Sequence, residues 1–110
     1  MITLADNEKN SFLMISGQIK ESKRNEFEQT FRLIAGLMPA DCIIRSLSND
    51  ISKEGYYYFF SLWLNENALK RFTESVEYQM MNGAFHALGA EDHSYAGILS
   101  EIKSFSGRGN

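Results

Sequence analysis

The chain has 110 residues, 44% hydrophobic and 23% charged, with a net charge of −3. That length holds one domain with a real core, and its scattered Lys and Arg leave no basic footprint for nucleic acid or an anionic membrane surface. The single cysteine, Cys42, excludes an intrachain disulfide and a multi-Cys zinc site, and no apolar run nears the roughly 20 residues of a membrane helix.

Met1–Asn10 is polar, lacks a signal-peptide core and reads as a lead-in; residues 104–110 read as a flexible tail. One domain is therefore expected over 11–103, in a reducing cytoplasm. Ser11–Ile19 predicts a first strand, with Leu13, Ile15 and Ile19 on one face and Phe12, Met14, Ser16 and Gln18 on the other. Ser22 is placed to cap a helix beginning near Lys23, in which Phe27, Phe31, Ile34 and Met38 form an apolar stripe that Leu33 and Leu37 widen. Glu28 and Arg32 suit an exposed i,i+4 pair, and Pro39 ends the helix by pushing Met38 out of helical geometry.

Cys42–Leu47 predicts a second strand, and the polar Ser48–Glu54 a hairpin turn into Gly55–Leu64. That third strand, Gly-Tyr-Tyr-Tyr-Phe-Phe-Ser-Leu-Trp-Leu, has no polar alternation. Tyr56, Tyr58, Phe60, Leu62 and Leu64 share one face and Tyr57, Phe59, Ser61 and Trp63 the other, so the pattern predicts a central strand covered on both sides. Asn65 caps a short helix carrying Ala68, Leu69 and Phe72 and ending near Glu74. Ser75 starts another, with Val76, Met80, Ala84 and Leu88 as its apolar stripe, Gln79, Asn82 and His86 as its polar one, and Gly89 closing it. Ser94–Lys103 alternates as an edge strand.

Strand, helix, strand, strand, helix pair, strand is the split βαβ order of a ferredoxin-like α+β fold: an antiparallel sheet, first and third strands central, helices on one face. The other face needs a cover. A second copy stacked sheet to sheet is the simplest one.

Against that order, the run Pro39-x-x-Cys42, Asp50, Gly55, the aromatic strand ending at Trp63, and Asn65 to Phe72 with Ala68-Leu69 resembles the antibiotic-biosynthesis monooxygenase family of dimeric α/β barrels. The likeness runs from about Phe12 to Lys103. It implies a face-to-face homodimer with a pocket in each subunit between sheet and helices. Enzymatic members oxidise quinols or polycyclic phenols there with O₂ and without metal or flavin; other members degrade haem, and others have no established activity. This chain departs from both active branches. Quinol-oxidising relatives often carry His where Phe72 and Glu77 stand; the haem-degrading branch has Trp at the place of Phe72 and an axial His at that of Asn82. His86 lies one helical turn beyond Asn82.

The residue types suited to a small aromatic ligand are Trp63 as a pocket wall, Tyr58 or its neighbours Tyr56 and Tyr57 as a phenol donor, Arg45 as a cation in an apolar strand, and Ser16 and Ser61 as small polar breaks. Phe72 and His86 join them, at or beside positions where the relatives keep functional residues. Each also has a plain structural role: core packing for Trp63 and Phe72, an edge position for Arg45, a solvated face for His86. Cys42 is expected as a buried structural thiol, and no general base, metal-ligand spacing or phosphate loop is visible. The functional expectation is a cofactor-independent monooxygenase acting on a small aromatic or quinol-like compound. A non-catalytic ligand-binding or assembly module competes with it, and haem degradation is a third reading. The expected partner is a second copy, with no nucleic acid, membrane, metal or cofactor.

Overall fold

A computed structural model describes residues 9–99. The strands are β1 (Ser11–Ile19), β2 (Cys42–Asn49), β3 (Tyr56–Trp63) and β4 (Gly89–Ile98); the helices are α1 (Arg24–Leu37), α2 (Glu66–Thr73) and α3 (Val76–Leu88). All strand pairs are antiparallel, in the order β2-β3-β1-β4. The first and third strands are central, as the ferredoxin-like pattern requires.

Strand pairing aligns equal faces. Leu13 lies opposite Ser61 and Ile15 opposite Phe59, and with Ile19, Tyr57 and Trp63 they form the helix-side core, all nearly inaccessible to solvent. Helix α1 lays Phe27 and Ile34 onto that face, with Phe31 edge-on to Phe59 at 5.6 Å and Met38, just past the helix end, buried beside them. The flanking Leu33 and Leu37 stay exposed. On the opposite face, Phe12, Met14, Tyr56, Tyr58, Phe60 and Leu62 are only half-buried, so one chain covers one side of the aromatic strand. There the Phe12 ring lies so close over Gly97 that a Cβ on Gly97 would stand 2.7 Å from it.

Local signals account for most boundaries. Asn65 Oδ1 accepts the Ala68 N–H at 2.8 Å and starts α2; Ser75 Oγ accepts the Tyr78 N–H at 3.1 Å and starts α3. The β2–β3 turn is built on Asp50, whose Oδ1 accepts from the Ser52 and Lys53 backbones at 2.8 Å, an Asx turn. Gly55 then takes φ +77°, and a side chain there would also collide with the Arg24 guanidinium.

Three expectations need correction. Ser22 does not cap α1: it sits in a 3₁₀ turn, Glu21–Lys23, and the N-cap position is Lys23, with no side-chain cap bond. The inward stripe of α3 is Met81, Ala84 and Phe85, while Val76 and Met80 face solvent. Phe85 decides that rotation by packing on Phe27 with ring centres 4.8 Å apart, a contact worth more than a second methionine or a valine would supply. Finally, β4 begins at Gly89 rather than Ser94, because β1 is long enough to pair back to Ile19 opposite Gly89. Residues 100–103 of the expected strand, the tail, and residues 1–8 of the lead-in lie outside the described residues. Asn10 is tied down, its Nδ2 donating to the Leu64 carbonyl at 3.0 Å.

Candidate functional site

The space between sheet and helices differs at its two ends. At the α2 end it is filled. Trp63 is inaccessible and stacks on Phe72 at 4.6 Å; its indole N–H donates to Ser61 Oγ at 2.9 Å, and that hydroxyl donates to the Leu13 carbonyl at 3.2 Å. The chain of donors closes inside the protein. Beyond Phe72 there is a hollow of about 130 Å³ bordered by Pro39, Asp41, Ala68, Arg71, Ser75 and Glu77.

Between α1 and the β2–β3 edge, by contrast, lies a cleft of about 430 Å³. That is within the range of small-ligand pockets. Phe31 and Leu47 supply its apolar walls, and Glu28, Arg32, Arg45, Ser46, Asn49 and Tyr57 its polar groups. Glu28 Oε2 accepts the Tyr57 hydroxyl at 2.6 Å, and Glu28 Oε1 faces Arg32 at 3.8 Å. Burial first, then the bond to Glu28 and its charge, pushes the Tyr57 phenol up to about 12, against a smaller lowering by Arg24. At neutral pH Tyr57 therefore stays a donor. Arg45 reaches back to the end of α1, donating to the carbonyls of Ala35 at 2.6 Å, Met38 at 3.3 Å and Cys42 at 3.4 Å. Its cation meets the negative end of the helix.

No family model matches the chain, and no curated protein matches it. Solved structures do. A candidate antibiotic biosynthesis monooxygenase from Deinococcus radiodurans superposes with a TM-score of 0.76 at 16% identity, covering 88% of this chain and 99% of that one. Another, from Caulobacter crescentus, gives 0.72 at 19% identity over 88% of this chain and 93% of that one. This chain has the antibiotic-biosynthesis monooxygenase fold. A variant of SnoaB, a cofactor-independent oxygenase from Streptomyces nogalater, shares that fold with a TM-score of 0.70 at 17% identity over 89% of this chain and 97% of that one.

Within this fold, the residues singled out from the sequence fall into four places. Trp63, Ser61 and Phe72 come together in the filled α2 end. Tyr58 and Ser16 lie on the uncovered face: the Tyr58 hydroxyl donates to Asp50 Oδ2 at 2.5 Å, and Ser16 Oγ bonds the Tyr56 hydroxyl at 3.2 Å. Arg45 borders the cleft, as does Tyr57, offered beside Tyr58 as a donor, and His86 stands on the exposed side of α3. Cys42 is buried, and burial pushes its thiol up against a smaller lowering by Arg45.

Glu28 escaped sequence reasoning, and so did its partnership with Tyr57, which the sequence offers only as one of three tyrosine donors. Glu28 reads as a surface ion-pair residue and Tyr57 as one aromatic among three. Their bond joins positions 29 apart, and the one usable signal was that Tyr57 shares its strand face with Phe59 and Trp63.

Proposed function

We propose that this protein is a cofactor-independent monooxygenase of a small phenolic or quinol-like aromatic, bound in the α1/β2 cleft, and that it works as a sheet-to-sheet homodimer. The observation that carries the reading is the Glu28 carboxylate, held by Tyr57 and flanked by Arg32, in an aromatic-walled cleft. The likeness in fold to SnoaB supports it.

Such chemistry needs a proton acceptor and a cation beside the resulting anion. The substrate O–H proton passes to Glu28, and Arg32 stabilises the ring anion. The anion gives one electron to O₂; the two radicals then join in a C–O bond. Glu28 returns its proton to the peroxide anion, and loss of water from the resulting hydroperoxide leaves a quinone. One oxygen atom enters the product, and the other leaves as water with two hydrogens from the substrate. As a class carboxylates are roughly 6 units less basic than phenolates, so the reading requires a phenol acidified by conjugation, as in quinols fused to further rings or bearing a carbonyl.

An oxygen electrode with chelator present and a panel of hydroquinones and naphthols tests this. Metal-independent uptake that falls at least tenfold in Glu28→Gln is the expected result; no uptake above background overturns it. The second reading, a non-catalytic binding or assembly module, draws on the filled α2 end, where the Trp63 N–H is already committed to Ser61. The homodimer rests on the half-buried Phe12, Phe60 and Leu62 face. Burying about 1,600 Å² in total makes a stable interface. Sedimentation equilibrium at micromolar concentration checks it, and a monomer there refutes it.

A further inference from the structure

We infer that the α1/β2 cleft selects an aromatic acid: a planar ring bearing a hydroxyl group that donates to Glu28 and a carboxylate that pairs with Arg32. The inference rests on the reading of this cleft as the ligand site, and it names a ligand class that the oxygenase reading leaves open.

The argument begins with the charges on the cleft wall. Glu28 is one negative group, and Arg32 and Arg45 are two positive ones. Arg45 is committed, because its guanidinium donates to three carbonyl oxygens around the end of α1. Glu28 is committed through one oxygen only: Oε2 holds the Tyr57 hydroxyl at 2.6 Å, which fixes the carboxylate and leaves Oε1 toward Arg32. Arg32 is the loose member. It meets Oε1 at 3.8 Å, beyond ordinary hydrogen-bond length, and its side chain is 70% exposed. A pair that long and that exposed contributes little, so Arg32 changes partner at small cost.

A guanidinium fork matches a carboxylate in a bidentate fashion, which no neutral phenol reproduces. The fixed Glu28 oxygen accepts one proton donor, and Phe31 offers an apolar wall for the ring. A ligand with a hydroxyl but no acid leaves Arg32 in its loose pair until the ring itself is ionised. One with an acid but no hydroxyl brings two carboxylates together with no proton between them. Both groups on one ring satisfy the wall.

Fluorescence titration of the full chain with 7-hydroxy-2-naphthoate, whose hydroxyl is too far from its own carboxylate to bond it, and with 2-naphthoate and 2-naphthol at low salt tests the inference. We expect the hydroxy acid to bind at least about tenfold more tightly than 2-naphthol, the scale of one charge-assisted bond. Arg32→Gln should remove that advantage, Arg32→Lys should keep part of it, and Glu28→Gln should narrow the gap between hydroxy acid and 2-naphthoate. Equal binding of the acid and 2-naphthol, or an advantage that survives Arg32→Gln, overturns the inference. Oxygen uptake is scored separately. Arg32-dependent acid binding without uptake supports the ligand class and sinks only the oxygenase reading; uptake with neutral naphthols alongside equal binding of all three probes sinks only the ligand class.

Discussion

The two ends of the space between sheet and helices are built from similar residues and behave oppositely. At the α2 end an indole N–H, a serine hydroxyl and a backbone carbonyl satisfy one another under Phe72, and none of the three is left to meet a ligand. At the α1/β2 end a tyrosine and a glutamate satisfy each other only in part, and a carboxylate oxygen and an arginine remain beside open space. The lesson is that an aromatic residue marks a site only when its polar partners are not already taken. Trp63, the most conspicuous side chain in the sequence, belongs to the core, and Tyr57 borders the cleft.

The sharpest break of that comparison is inside the filled end. Trp63→Ala should cost about 3–5 kcal/mol in urea denaturation, and Phe59→Asp should abolish folding, because an unpaired charge would sit where exposure is 0%. Phe60→Asp, one residue along but on the uncovered face, should leave a folded chain by circular dichroism and abolish only pairing in sedimentation equilibrium. Unfolding by Phe60→Asp would mean that the second face is part of the single-chain core.

Next in size is the cleft bond. Tyr57→Phe removes a donor to a partly exposed carboxylate and should cost about 1 kcal/mol at pH 7. Its pH signature is more specific. Burial and the bond to Glu28 push the folded phenol up to about 12 from its ordinary 10, so between those values the unfolded chain has lost a proton that the folded chain keeps. Stability is then full below pH 10 and falls as pH rises to 12, by up to about 2–3 kcal/mol. Tyr57→Phe should lack that decline.

A smaller effect belongs to the turn. The Tyr58 hydroxyl first, then the Lys53 and Ser52 backbones, hold the Asp50 carboxyl below its ordinary 3.8. This contribution is present above that value and is lost as pH falls through and below it. Asp50→Asn should flatten that part of a melting-temperature profile; an unchanged acid limb would show the turn to be indifferent to the charge. The smallest effect is that of Arg32→Gln, which should change stability by no more than about 0.5 kcal/mol. A larger loss would make Arg32 a structural residue.

Much of this molecule was legible without coordinates because its signals are local. Asn65 and Ser75 open their helices through their own side chains, Pro39 ends α1, and the strand periods lead to the split βαβ order and its central pair. Ser22 shows the limit of that logic: a suitable cap residue is bypassed when the chain enters its helix through a 3₁₀ turn.

The site was less legible for a different reason. Periodicity divides a strand into two faces but does not say which one the helices choose, and on β3 both faces are apolar. Tertiary packing made that choice, placing Tyr57, Phe59, Ser61 and Trp63 beneath the helices and leaving Tyr58 and Phe60 outside. It also turned α3 by about one residue so that Phe85 meets Phe27, and it brought Glu28 to Tyr57 across 29 positions. By itself the sequence determined the elements, their order and their caps, since these depend on groups a few residues apart. Which aromatic became core and which borders a cleft was decided only when distant segments competed for the same neighbours, a competition that no local pattern encodes.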